Sequence, residues 1–325
     1  MYRYACTVCL LACLVVCGAS CEHAKMSYRL SRFGYSPFAN ALLYVNYYDG
    51  DGPLKSSWLA VYDVQKGVAR HLRYPINAGI RDFAWVPGQA TFVVTHGDRM
   101  TLFQQDGSGD YSGTAVPCPV HVQYMFCSWD SSGEWLAVNC HSLKGTPVYR
   151  LGIYRLEDNR FVLTDIVCDH RVPIWGNGTT LYVPNGSTVA EVRVKSGVPK
   201  VVRTFPIERD APLFLDMFDD QALIQVGNKV MLGGKTLVDL DRSTKSATIS
   251  TNSIIFVSAS SANLVAFDSA GQEIDRIDPG RVIRFGSVGE DENTVYGLAN
   301  SIVLRVRVEG GNLRIKEIAD IASLN

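Results

Sequence analysis

The chain has 325 residues, 47% hydrophobic and 19% charged: ample apolar material for a large core, and too little charge for a disordered polymer. Its formal net charge of −1 argues against a surface built to neutralise phosphates, so no nucleic-acid partner is expected. No run of like charges and no low-complexity tract interrupts it.

The N-terminal segment reads differently from the rest. Arg3 is the only charge in residues 1–21, and Ala5 to Val16 is apolar, followed by the small residues Gly18-Ala-Ser20. A basic start, a short apolar run and small residues describe an export signal. A membrane span needs about 20 apolar residues, so an uncleaved anchor is the alternative rather than the first reading. Gly18-Ala-Ser-Cys21 resembles the lipobox of bacterial lipoproteins, with Gly18 where an aliphatic residue is usual. That resemblance implies a lipidated Cys21 as the mature N-terminus and a membrane tether. The expected division is a signal over 1–21 and one folded domain over 22–325, in a periplasmic, cell-surface or secreted protein. Cys6-x-x-Cys9 falls in the signal and is no motif of the mature chain.

After the signal, helical spacing of apolar residues is nearly absent. Short runs such as Leu42-Leu-Tyr-Val45, Phe92-Val-Val94, Leu181-Tyr-Val183 and Ile254-Ile-Phe-Val257 lie between Gly, Asn, Asp and Pro, the mark of strands and turns. Three segments align without a gap: Tyr35-Ser-Pro-Phe-Ala-Asn-Ala-Leu-Leu-Tyr-Val45, Trp85-Val-Pro-Gly-Gln-Ala-Thr-Phe-Val-Val-Thr95 and Trp129-Asp-Ser-Ser-Gly-Glu-Trp-Leu-Ala-Val-Asn139. Each has an aromatic residue, a turn and an apolar strand. A further period reaches Ile174-Trp175 ahead of Leu181-Tyr-Val183. Each unit also holds a second hairpin, as in Val61–Leu72, Ile153–Leu163, Val192–Val202, Val265–Asp275 and Val306–Ile315. Two hairpins in about 40 residues make the four-stranded blade of an all-β propeller. Residues 28–321 hold seven such units, with six or eight as alternatives, because 211–279 is assigned by period alone.

Trp129-Asp-Ser-Ser-Gly-Glu-Trp-Leu-Ala resembles the TolB-type, WD40-like propeller repeat, roughly W-S-P-D-G-x-x-I-A. Tyr35-Ser-Pro and Trp85-Val-Pro supply the Ser and Pro that the third copy lacks. The resemblance implies the fold rather than an activity. The stretch from Cys21 to Tyr28 holds no room for the domain that precedes the propeller in TolB, so that protein's partner role is not carried over.

Chemical motifs are sparse. Cys118, Cys127, Cys140 and Cys168 are candidate disulfide residues in an exported chain, with three pairings open and buried thiols as the alternative. Ser128, Asp130 and Trp135 fit a sialidase Asp-box, but Gly133 is one place late, and that turn is structural in any case. The chain has no G-x-S-x-G and no His-Glu-x-x-His, which argues against a hydrolase-coupled propeller and a zinc site. Its six histidines are scattered and read as surface or loop residues. Asp106-Gly-Ser-Gly-Asp110 begins like a calcium loop, yet Tyr111 stands where Gly is required, which makes it an ordinary turn. No catalytic residue, metal site or cofactor is expected.

Loop length distinguishes the blades. The connections Asn46–Ser57 and Cys140–Tyr149 are long and reach the same rim, with Thr95–Met100 between them. Tyr47, Tyr48, Asp49, Asp51, His141 and Lys144 are therefore the candidate binding rim. The expectation is a monomeric, non-enzymatic scaffold for a protein or cell-envelope polymer. The alternative is a carbohydrate- or ester-acting propeller enzyme with its site at the central channel.

Overall fold

Alternating apolar residues between tight turns fold this chain as a succession of antiparallel meanders. The computed structural model describes residues 28–36, 38–48, 57–72, 80–119, 121–142, 148–176, 178–195, 197–207, 213–218, 221–226, 229–239, 247–250, 253–258, 263–288, 293–300 and 302–320. They form seven four-stranded sheets, each pairing its strands in sequence order. The sheets are the blades of a seven-bladed β-propeller. Among the described residues no helix is long and apolar enough to cross a membrane.

Blade 1 is β1 (Tyr28–Ser36), β2 (Ala41–Tyr48), β3 (Ser57–Asp63) and β4 (Val68–His71). Blade 2 is β5 (Ile80–Trp85), β6 (Thr91–His96), β7 (Met100–Gln105) and β8 (Tyr111–Val116). Blade 3 is β9 (Val122–Trp129), β10 (Trp135–Ser142), β11 (Tyr149–Arg155) and β12 (Arg160–Cys168). Blade 4 is β13 (Ile174–Trp175), β14 (Thr180–Asn185), β15 (Thr188–Lys195) and β16 (Val198–Pro206). Blade 5 is β17 (Leu213–Phe218), β18 (Gln221–Val226), β19 (Lys229–Leu232) and β20 (Lys235–Asp239). Blade 6 is β21 (Ala247–Ile249), β22 (Ile255–Ser258), β23 (Leu264–Phe267) and β24 (Glu273–Ile277). Blade 7 is β25 (Arg284–Val288), β26 (Thr294–Ala299), β27 (Ile302–Glu309) and β28 (Asn312–Asp320).

The first strands meet around the centre, β1 against β5, β5 against β9, β9 against β13, and β25 against β1. Closing the sheets into a ring buries both faces of each blade and leaves only the outer strands as edges. Where the ring closes, Phe33, Tyr35, Leu42 and Tyr44 of blade 1 cluster with Tyr296, Leu298 and Val303 of blade 7. The Tyr35 and Tyr296 rings lie 4.1 Å apart.

The aromatic residues aligned in the sequence form the joints between successive blades. Trp85 Nε1 donates to the Gly34 carbonyl at 2.9 Å, Trp129 Nε1 to Ala84 at 3.2 Å, and Trp175 Nε1 to Ser128 at 2.9 Å. Each indole thus reaches the carbonyl one residue before the aromatic of the preceding blade. A bulge recurs in the first-strand pairing of blades 1, 2, 3, 5 and 7 and bends those strands where they crowd the centre. The turn after Trp129 is equally determined. Asp130 Oδ1 accepts the Trp135 N–H at 2.9 Å, and Gly133 has φ +72°. A Cβ on Gly133 would meet Val86 Cγ1 at 2.8 Å, so glycine is required both for the backbone and for the neighbouring blade.

Candidate functional site

Strand direction alternates within each blade, so connections between second and third strands share one face with the links between blades. This face is the upper rim. Turns between first and second strands, and between third and fourth, form the lower one.

The structure shortens both long connections. Tyr47 and Tyr48 end β2, where they pair with Arg29 and Tyr28, because β1 begins early enough to give β2 a partner to its last residue. Cys140 and His141 likewise belong to β10, which stays paired to Ser142. Asp49, Asp51 and Lys144 lie outside the described residues, as does Cys21.

His141 stands at the upper seam between blades 3 and 4. Its ring packs on Tyr149, with centroids 4.7 Å apart, and Tyr149 lies opposite Cys168 in the next register. His141, Tyr149 and Cys168 therefore form a row across one face of blade 3. Asn139 is fully buried on the same face; its Nδ2 donates to the Asp169 carbonyl and, at 3.2 Å, to the Arg171 carbonyl.

The link that follows Cys168 is clamped. The Asp169 carboxylate accepts Arg171 Nε at 2.9 Å, the Arg171 N–H at 2.8 Å and the Gly186 N–H at 2.9 Å. Arg171 Nη2 also donates to the Gly186 carbonyl at 2.7 Å. Arg171 is only 7% exposed, so this ion pair ties the blade 3–4 link to the β14–β15 turn in a largely dry setting. Burial raises the Asp169 pKa, but hydrogen bonds from Arg171 and its charge outweigh that and hold the carboxyl below its usual range. Sequence reasoning missed Asn139, Asp169 and Arg171. Their one signal is Asp-x-Arg spacing ahead of a strand, which gains meaning only from a turn far along the chain.

His96 corrects the expectation of surface histidines. It ends β6, all of whose residues are buried, and is itself 1% exposed. The strand runs so deep between its neighbours that its last residue is still covered. Burial, with the Arg99 charge acting in the same direction and Asp98 against it, lowers the imidazole to about 4.

The four cysteines are thiols in the structure. Cys118, Cys127 and Cys140 pack together between blades 2 and 3, with Met100, Tyr124 and Val138. Cys168 packs on the opposite face of blade 3, with Trp135, Ile153 and Leu181. Burial pushes Cys118 up to about 11 and Cys168 up to about 12, and raises Cys140 as well. Thiolates do the chemistry of cysteine, and these groups stay protonated at neutral pH. Among the described residues no cluster of three His, Cys, Asp or Glu side chains is arranged to hold a metal ion. The Asp106–Asp110 segment joins β7 to β8 as a turn in which Asp106 Oδ1 accepts the N–H groups of Ser108 and Asp110. The described residues of the upper rim thus offer a rigid frame with an aromatic pair.

No family model matches the chain, and no curated protein matches it. Solved structures do. A puromycin-hydrolyzing peptidase of Mycobacterium tuberculosis is similar over 91% of this chain and 54% of its own, with 14% identity and a TM-score of 0.61. The chain spans about half the length of that peptidase. Kluyveromyces lactis Hsv2 is similar over 89% of this chain and 98% of its own, with 10% identity and a TM-score of 0.56. The C-terminal WD40 domain of Sif2 matches 89% of this chain and 86% of its own at 9% identity and a TM-score of 0.53. Such distant likenesses establish a WD40-like propeller fold and stop there.

Proposed function

We propose that this chain is an exported, non-enzymatic, monomeric β-propeller that binds a protein or cell-envelope polymer at the upper rim of blades 1–4. The observation that carries the reading is the seam between blades 3 and 4. There the His141–Tyr149 pair stands beside the blade 3 connection, on a frame fixed by Asn139 and the Asp169–Arg171 clamp. Loops on a rigid scaffold are where binding residues concentrate, and a preordered frame reduces the entropy lost on binding. The titratable groups of this rim favour recognition over reaction: the Cys168 thiol is neutral, Asp169 is engaged by Arg171, and His96 is buried and neutral at pH 7. An enzymatic channel has no observation in its favour.

Replacing residues 49–56 and 143–147 by short Gly-Ser linkers is expected to abolish capture of envelope partners while leaving the melting profile in place. Unchanged partners would remove this surface from the account.

Export rests on Arg3, the apolar Ala5–Val16 run and Gly18–Cys21, and the TolB-type character of the repeat rests on Tyr35-Ser-Pro, Trp85-Val-Pro and Trp129 to Ala137. Intact-mass measurement of the exported protein is expected to give a chain beginning at Cys21 and carrying a lipid. A mature chain that still contains residues 1–20 refutes cleavage.

A further inference from the structure

We propose that the outer hairpin of blade 4 is a second docking surface, one that takes an acidic, extended polypeptide segment of a partner. In β15, Ala190, Val192 and Val194 pack against blade 3, so Glu191, Arg193 and Lys195 point the other way, toward blade 5. Register places Lys200 opposite Arg193 and Arg203 opposite Glu191, which sets Lys200 and Arg203 on that same face. Four cations therefore share one side of a two-stranded ribbon with a single carboxylate. That carboxylate, Glu191, is buried, engaged by Arg203 and 3.8 Å from Arg193. Among the described residues of blade 5, Lys229 and Asp239 face the seam alongside Met231 and are opposed in register.

Arg193 and Lys200 are both exposed and directly opposite each other, an arrangement that repels within the free protein. An anion lying across the pair removes that cost. Apolar surface adjoins the cations: Val198 is 69% exposed, Val201 43% and Val202 48%. Pro199 and Pro206, which have no N–H to offer, bracket Lys200–Phe205 on the outermost edge of the blade. A strand laid along this edge turns alternate side chains to the two faces. Carboxylates on one side would meet Arg193, Lys195 and Lys200, and apolar side chains on the other would meet Val201. A nucleic-acid strand fits less well, because its bases need aromatic faces. The one aromatic ring of this strand, Phe205, is half-buried, with the Arg203 guanidinium 4.5 Å from its centroid.

The test uses the full chain and a fluorescently labelled short peptide of alternating Glu and Val, with a Lys-Val peptide and a single-stranded oligonucleotide of equal charge as comparisons. Saturable, salt-sensitive binding of the Glu-Val peptide is expected, weakened at least about tenfold by Lys195→Glu with Lys200→Glu. These exposed substitutions are expected to leave the melting profile unchanged. Val201→Thr with Val202→Thr, which keeps the charge, is expected to weaken binding by a smaller factor. The proposal is overturned if the peptide does not bind, if binding survives the double charge reversal, or if the oligonucleotide binds as tightly.

Discussion

Truncating Trp129 to alanine is expected to destabilise the protein by about 3–5 kcal/mol, read as a lower urea midpoint. Its indole is 8% exposed and packs in the cluster between blades 2 and 3, edge-on to Tyr154 at 6.2 Å. Its N–H also reaches the Ala84 carbonyl, so truncation removes packing and leaves a carbonyl without its donor. Trp129→Phe retains most of the ring and gives up the hydrogen bond, for a loss of about 1 kcal/mol beyond the smaller volume. Trp85→Phe and Trp175→Phe are expected to cost similar amounts, since each makes the same bond to the blade before it. A loss under about 1 kcal/mol for Trp129→Ala would mean that the aromatic steps are not the joints of the ring.

Stability is expected to fall by about 3 kcal/mol between pH 6.5 and pH 4, from His96 alone. The imidazole is lowered from 6.5 to about 4 by burial and Arg99, so the unfolded chain takes up a proton over this window that the folded chain refuses. The contribution is therefore complete above pH 6.5, shrinks as pH falls, and levels off below 4. Asp169 acts in a separate window. Its folded pKa lies below the ordinary carboxylate value of 3.8, so the stability it adds is present above that value and is lost only at lower pH. His96→Gln flattens the curve between 6.5 and 4 while leaving the steeper acid limb in place. Denaturant midpoints measured across pH decide the matter, and an unchanged slope in His96→Gln would contradict the burial argument.

What the sequence made legible follows from repetition. An aromatic ring that packs at the joint with the preceding blade stands at the same step in the first three units, and so Tyr35, Trp85 and Trp129 align by eye and Trp175 falls one residue beyond its predicted place. Blades 5 and 6 lack that aromatic, so only the period located them, and their strands at 213–239 and 247–277 lie where the period put them. The upper rim was legible only in outline. Chain composition marks a turn, but a strand continues for as long as its neighbour can pair, which is how Tyr47, Tyr48, Cys140 and His141 come to lie in β2 and β10. Asp169 and Arg171 were illegible for another reason: their role depends on Gly186, which the chain reaches only after forming β13 and β14. The cations of blade 4 did leave a trace, in the Val-Arg-Val-Lys alternation that starts at Val192. Read as a strand, that pattern already sends both charges to one face.

The account stands most directly on where the partner touches the ring. A photoreactive residue placed at position 141, on the upper rim, is expected to cross-link the captured partner, and one placed at position 158, in the β11–β12 turn of the lower rim, is expected not to. Cross-linking from 158 with none from 141 would contradict the account, because it would move the binding surface to the opposite face of the propeller.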